Sequence, residues 1–275
     1  MRAKVSLILF LTHSIVRHTN RLRAVLLRYY PAGLVVFAKL DTPLSLAFLQ
    51  AYPHPQAAAQ LSYGDFEHFV RQQHHTRPAE WPKCYARLTQ PVPCARAEVV
   101  QTYQPEALLL VGLLGACLRA KRQALQELQQ LYQQHPDRAI FAALPAAGEF
   151  LEPALLAKLG DVRERFPSPA VLQAMAGTSP YTQKSGKKRS VHFRFACDRE
   201  LRFLVQQWAL ASLRQSPWAV SYYGQAYRRC GSKKAALRRL ANRWLSILWT
   251  LWQSHRLYDE QYHQQQRMLR AKPRP

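Results

Sequence analysis

Ser185 and Gly186 lie in the run Gln183-Lys184-Ser185-Gly186-Lys187-Lys188-Arg189-Ser190, inside a strongly basic stretch. Between residues 184 and 202 the basic side chains are Lys184, Lys187, Lys188, Arg189, Arg194, Arg199 and Arg202, against Asp198 and Glu200 alone. A glycine lets a phosphate approach the backbone closely. Neighbouring lysines and arginines would neutralise charge building on phosphate oxygens during a displacement. The Ser185 hydroxyl could thus act as a nucleophile toward a phosphodiester. The same residues also fit a solvated loop that only touches phosphate. The run is not a phosphate-binding P-loop, because that motif needs glycine where Tyr181 stands.

A second basic run reads Arg228-Arg229-Cys230-Gly231-Ser232-Lys233-Lys234 and continues to Arg238, Arg239 and Arg243, with no acid among them. Ser232 reads as the N-cap of a helix, and a helix N-terminus flanked by lysines suits phosphate. Tyr222, Tyr223 and Tyr227 precede it and could stack on bases. A solvent-facing helix surface would have the same composition. A third feature, Leu144-Pro145-Ala146-Ala147-Gly148, is a turn. In context it resembles the hairpin of a helix-hairpin-helix unit, with backbone amides near Gly148 facing a DNA phosphate.

Metal chemistry is not expected within this chain. His54, His68, His74 and His75 cluster early, without an HExxH motif or paired CxxC. A two-metal nuclease needs several carboxylates converging on its ions. The first 140 residues offer Asp41, Asp65, Glu67, Glu80, Glu98, Glu106 and Asp137, and none ends a recognisable strand. The cysteines are Cys84, Cys94, Cys117, Cys197 and Cys230, an odd number with no CxxC pair. That argues against a disulfide framework or zinc knuckle and favours a reducing compartment, the cytoplasm.

The whole composition points the same way. The chain has 275 residues, 48% of them apolar, enough for a real core. Lysine and arginine total 39 against 16 acids, a formal net charge of +23. Such an excess attracts polyanions, and nucleic acid leads over a membrane surface as partner. The apolar run Val5 to Leu11 falls short of the roughly 20 residues that span a bilayer. It continues into His18-Thr19-Asn20-Arg21-Leu22-Arg23, which reads as an amphipathic helix and not a signal peptide.

These residues need elements to hold them, and the periodicity predicts a mainly α fold. A helix over 5–30 carries Arg17, Arg21 and Arg28 and ends at Pro31. Two short helices within 42–72 flank Tyr52-Pro53-His54-Pro55. Residues 74–105, with Pro78, Pro82, Pro91, Pro93 and Pro105, read as an irregular linker. A long helix over 106–134 places Leu110, Leu114, Cys117, Leu118, Leu125, Leu128 and Leu131 at three- and four-residue steps. It is either a coiled coil, through which the chain would self-associate, or a single core-facing helix. Ala154 to Leu159 forms a short helix, Ser168-Pro169 opens another that Gly177 ends, and 178–197 is a loop or hairpin. Amphipathic helices follow over 199–215 and 233–257, with the tryptophans as core. The expected division is a helical linker at 1–105, a long helix at 106–136, a small helical domain with a helix-hairpin-helix-like element at 137–262, and a basic tail at 263–275.

From Ala143 to Asp259 the motifs occur in an order that resembles the C-terminal domain of the insertion-sequence-110 transposase family (the 110/116/902 group). They are Leu144-Pro145-Ala146-Ala147-Gly148, Leu159-Gly160-Asp161, Phe166-Pro167-Ser168, Ala176-Gly177-Thr178-Ser179-Pro180, Gln183-Lys184-Ser185-Gly186-Lys187, Gly231 to Leu237, and Tyr258-Asp259. Arg21 to Pro31 is similar to the linker that follows the family's RuvC-like nuclease domain. The chain departs from the family pattern at Ala146, usually glycine, and at Phe195-Ala196-Cys197-Asp198, usually Lys-x-Gly-Asn. The resemblance implies DNA transposition guided by a bridge RNA, with Ser185 attacking a DNA phosphate. It also implies that Mg²⁺ is held by the nuclease domain, which Met1 is expected to follow. The alternative function is a binding remnant or regulator in which Ser185 is inert.

Overall fold

The computed structural model describes residues 1–90, 95–186, 188–262 and 264–265; Lys188 and Arg189 are described by their backbone alone. Lys187, Cys94 and the expected basic tail beyond residue 265 lie outside the described residues. Among the described residues there are thirteen α-helices, two 3-10 turns and one two-stranded sheet, so the fold is mainly α. The chain divides into two compact units. One comprises 7–124; the other comprises 1–6 with 125–275.

The 7–124 unit holds most of α1 (Arg2–Tyr29), then α2 (Pro31–Val35), α3 (Pro43–Ala51), α4 (Pro55–Ala59), α5 (Tyr63–Gln72), α6 (Trp81–Leu88) and the start of α7 (Ala97–Gln133). Prolines open α2, α3, α4 and α6 at first-turn positions, where a missing N–H costs nothing. Ser62 and Asp65 close a capping box on α5. The core is aromatic. Phe48 meets Phe37 at 5.5 Å, Phe66 at 6.3 Å and Phe69 at 5.8 Å between ring centroids.

Two expectations here are corrected. The 42–72 stretch makes three helices, since Pro55 starts α4 between the two expected ones. The 74–105 stretch is not an irregular linker. It contains a 3-10 turn (Pro78–Glu80), α6, and the first turns of α7, which begins at Ala97 and runs through Pro105. Pro78 and Pro82 are helix openers, so counting prolines as breakers misreads them. Pro105 deprives the Gln101 carbonyl of its donor, but both residues are exposed and water can replace it. Along α7, Leu110, Leu114 and Leu128 are buried as the period predicts, while Leu109 and Leu131 are exposed.

The other unit contains α8 (Arg138–Ala142), α9 (Gly148–Leu159), a 3-10 turn (Arg163–Arg165), α10 (Pro169–Met175), β1 (Tyr181–Ser185), β2 (Lys188–His192), α11 (Arg199–Ser212), α12 (Pro217–Cys230) and α13 (Lys233–Gln253). Pro153 lies inside α9 and frees the Glu149 carbonyl, which accepts the Gln129 amide instead. The core is built on tryptophan. Trp244 meets Trp208 at 4.9 Å and Trp218 at 4.8 Å. Four indole N–H groups find acceptors: Trp208 on the Pro145 carbonyl, Trp244 on Ser212 Oγ, Trp252 on Asp137 Oδ2 and Trp249 on the Phe166 carbonyl. That removes the main penalty of burying so polar an edge.

The Ser216-Pro217 pair opens α12, a helix the periodicity did not reveal. Ser216 Oγ accepts the Ala219 N–H at 3.1 Å. Expected ends move as well: α11 stops at Ser212 and α13 at Gln253. Among the described residues no helix is long and apolar enough to cross a membrane.

Candidate nucleic-acid interface

Ser185 ends β1 at the tip of an antiparallel hairpin. The register pairs Tyr181 with His192, Gln183 with Ser190, Lys184 with Arg189 and Ser185 with Lys188. Gly186 follows at φ 55°, a left-handed turn position that glycine takes without strain. Lys184, Ser185 and Gly186 are all exposed. Among the described residues no hydrogen bond reaches the Ser185 hydroxyl. At about 3.4 Å per residue, four strand steps put Ser185 roughly 13 Å beyond the Tyr181–His192 pair at the root.

The hairpin root is tied down on both legs. On the entering leg, Gly177 has φ 61° and a Cβ there would collide with Nη2 of Arg202. Thr178 Oγ1 donates to Asn242 Oδ1 of α13 at 2.7 Å. On the leaving leg, the Asp198 N–H donates to the Met175 carbonyl at 2.8 Å. Asp198 caps α11 through the Leu201 N–H at 2.9 Å and accepts the buried Lys158 ammonium at 3.0 Å. Lys158 also meets Glu200 at 2.6 Å, and Ser6 Oγ donates to the same Glu200 oxygen at 2.7 Å. Burial alone would push the Asp198 carboxyl up, but the Leu201 amide and the Lys158 ammonium hold it below its usual value.

Phe193, just past β2, joins the two basic runs. The Arg202 guanidinium lies 4.6 Å from its ring centroid and that of Arg238 lies 5.0 Å away. Arg194 lies 5.9 Å from the Tyr181 ring, which stacks on His192 at 5.4 Å. The first run and α13 are therefore neighbours in space. Arg238 is half-buried against Phe193, so it is not part of a solvated helix face.

Arg228 and Arg229 end α12, and Lys233 and Lys234 begin α13; all four are exposed. Gly231 turns the chain between them, and Ser232 caps α13 through the Ala235 N–H at 3.4 Å. The turn before α9 is engaged within the protein. Its Ala146 N–H donates to Gln215 Oε1 at 2.6 Å, and the Gly148 amide serves the Glu152 carboxyl, which burial pushes up.

Sequence reasoning counted Arg202 only as charge and did not single out Phe193 or Asn242 as site residues. Phe193 sat in the alternating run Val191-His192-Phe193-Arg194-Phe195, an aromatic-cation alternation that signals contact with neighbouring arginines. Among the described residues no group of three or more His, Cys, Asp or Glu could hold a metal ion.

Residues 138–224, which include the hairpin, match the family model described as Transposase IS116/IS110/IS902 family. The chain is similar to the mini-circle protein of Streptomyces coelicolor named as a transposase for IS117, at 29% identity over 248 residues. That alignment covers 88% of this chain and 60% of the relative. It is also similar to the uncharacterized 43.6 kDa protein of insertion element IS110 from the same organism, at 26% identity with the same coverage. The chain thus spans about 60% of the length of the curated relatives it matches. The segment that holds the hairpin is thus similar to the IS116/IS110/IS902 transposase family, and most of the chain is similar to these two insertion-element proteins.

Proposed function

We propose that this chain acts in DNA transposition by gripping nucleic acid with the hairpin and α13, and that Ser185 is its nucleophile. The reading is carried by one observation: Ser185 is exposed at the tip of a hairpin whose root is fixed to an arginine-bearing helix. In the reaction the Ser185 Oγ would form a bond to phosphorus and lose its proton. The bond from phosphorus to one bridging oxygen would break, and that oxygen would leave as a hydroxyl. Lys184 and the flanking cations would stabilise the charge on the non-bridging oxygens. One phosphodiester is exchanged for another and the serine proton passes overall to the leaving oxygen, so the hydroxyl of a second strand can reverse the step. The partners proposed are DNA and a bridge-type RNA, and the place is the cytoplasm. Self-association through α7 fits its exposed Leu109, Leu113 and Leu131.

A second reading keeps the binding and drops the chemistry. It is favoured by the bare Ser185 hydroxyl, to which no base is hydrogen-bonded among the described residues. The two readings part on one experiment. The protein is incubated with transposon-end DNA, a bridge-type RNA and Mg²⁺, then resolved under denaturing conditions. A covalent protein–DNA band that Ser185→Ala abolishes supports the nucleophile. DNA retention without any such band in the wild type leaves the chain a binder.

A further inference from the structure

Beside the hairpin root, within the same unit, lies a notch of about 320 Å³. Tyr222 of α12, His192 and Phe193 of the hairpin, and Arg238, Arg239 and Asn242 of α13 line it. We infer that this notch receives one unstacked nucleotide of the bound nucleic acid, with its base against Tyr222 and its phosphate on Arg239 and Arg238. The inference rests on the nucleic-acid reading above and adds a subsite to it.

The volume sits near the lower end of small-molecule sites, about 300–1,000 Å³, which suits a single nucleotide and is far too narrow for a duplex. The lining supplies an aromatic face and cations together, and no carboxylate stands among its described residues. Tyr222 is half-buried and backed by Trp218 at 5.5 Å, so its ring is a fixed platform. Tyr223 and Tyr227 do not compete for this role; they stack on each other at 6.4 Å and 8°. Arg238 is oriented by the Phe193 ring, while Arg239 is exposed at the rim. Asn242 gives its carbonyl to Thr178, which leaves its NH₂ to donate to acceptor edges of a base. A base brought here must leave its stack, and an already unpaired base does so at least cost.

The test is equilibrium binding of the full chain to two labelled duplexes, one fully paired and one with a single unpaired nucleotide. The wild type is expected to prefer the bulged duplex about tenfold, within the range of base–aromatic stacking. Tyr222→Leu and Arg239→Gln are each expected to bring the ratio within about twofold, because the platform or the phosphate partner is gone. If Tyr222→Leu fails to fold, Arg239→Gln alone decides, since its side chain is exposed. Equal affinities in the wild type, or a preference that survives in the folded variants, would overturn the notch and leave the proposed function standing. Absence of binding to either duplex would overturn both.

Discussion

Asp198 joins three structural demands in one carboxylate. It caps α11, accepts the buried Lys158 ammonium, and its own N–H pins the leaving leg of the hairpin to α10. Its folded pKa lies below the ordinary 3.8. A depressed carboxyl contributes stability that is fully present above the unfolded value and lost as pH falls through the folded one. Asparagine keeps the cap but not the charge. We therefore expect Asp198→Asn to be less stable than the wild type at neutral pH. The gap should close as pH falls below 3.8. Urea midpoints taken at descending pH check this, and a gap independent of pH would count against the Asp198 charge. Gly177 shows a second residue-level constraint. The Arg202 guanidinium occupies the space a Cβ would need, so glycine here is steric as well as conformational.

At the scale of elements, the hairpin is the part whose position had to be built rather than read. Its existence was open in the sequence, as loop or hairpin, and Ser185-Gly186 at its tip follows ordinary turn chemistry. The helices of this unit were mostly legible because tryptophan and leucine recur at helical spacing. The α12 helix was not, because its partly exposed tyrosines and its exposed arginines blur the apolar period. What no local pattern could supply was the clamp on Phe193, which joins the residue just past β2 to α11 and α13. The prolines of 74–105 misled for the converse reason: helix openers look like breakers when position is ignored. Two cation–π contacts at about 0.5–1 kcal/mol each hold the root, so Phe193→Ala should loosen the hairpin by about 1–2 kcal/mol. Loosening of this size should speed tryptic cleavage within 184–189 by about tenfold under native conditions. Unchanged cleavage would mean that the Thr178–Asn242 bond and the Asp198 anchor suffice.

For the whole molecule the governing quantity is the +23 charge, from 39 basic and 16 acidic residues. Spread evenly, it would give salt-sensitive attraction to any polyanion and no site. The fold concentrates part of it, as the turn between α12 and α13 presents Arg228, Arg229, Lys233 and Lys234 within seven residues of chain. Arg228 and Arg229 sit at a helix C-terminus, where the dipole favours them. Lys233 and Lys234 occupy the first turn of α13, which carries no acid, and there the dipole disfavours them by about 0.3–1 kcal/mol each. An arrangement that opposes folding at one helix end is one that favours an anion arriving at that end. The two effects separate in a single variant pair. Lys233→Gln with Lys234→Gln should raise thermal stability slightly and weaken duplex binding. For every phosphate a removed lysine had neutralised, the slope of log affinity against log salt should flatten by about 0.9, or about 1.8 for the pair. Extending the change to Arg228→Gln and Arg229→Gln should flatten it further while stability falls back, because those cations sit where the dipole wants them. Stability rising with an unchanged salt slope would instead mean that the lysines face solvent, and that the charge acts only at long range, where salt screens it within about 10 Å at 0.1 M.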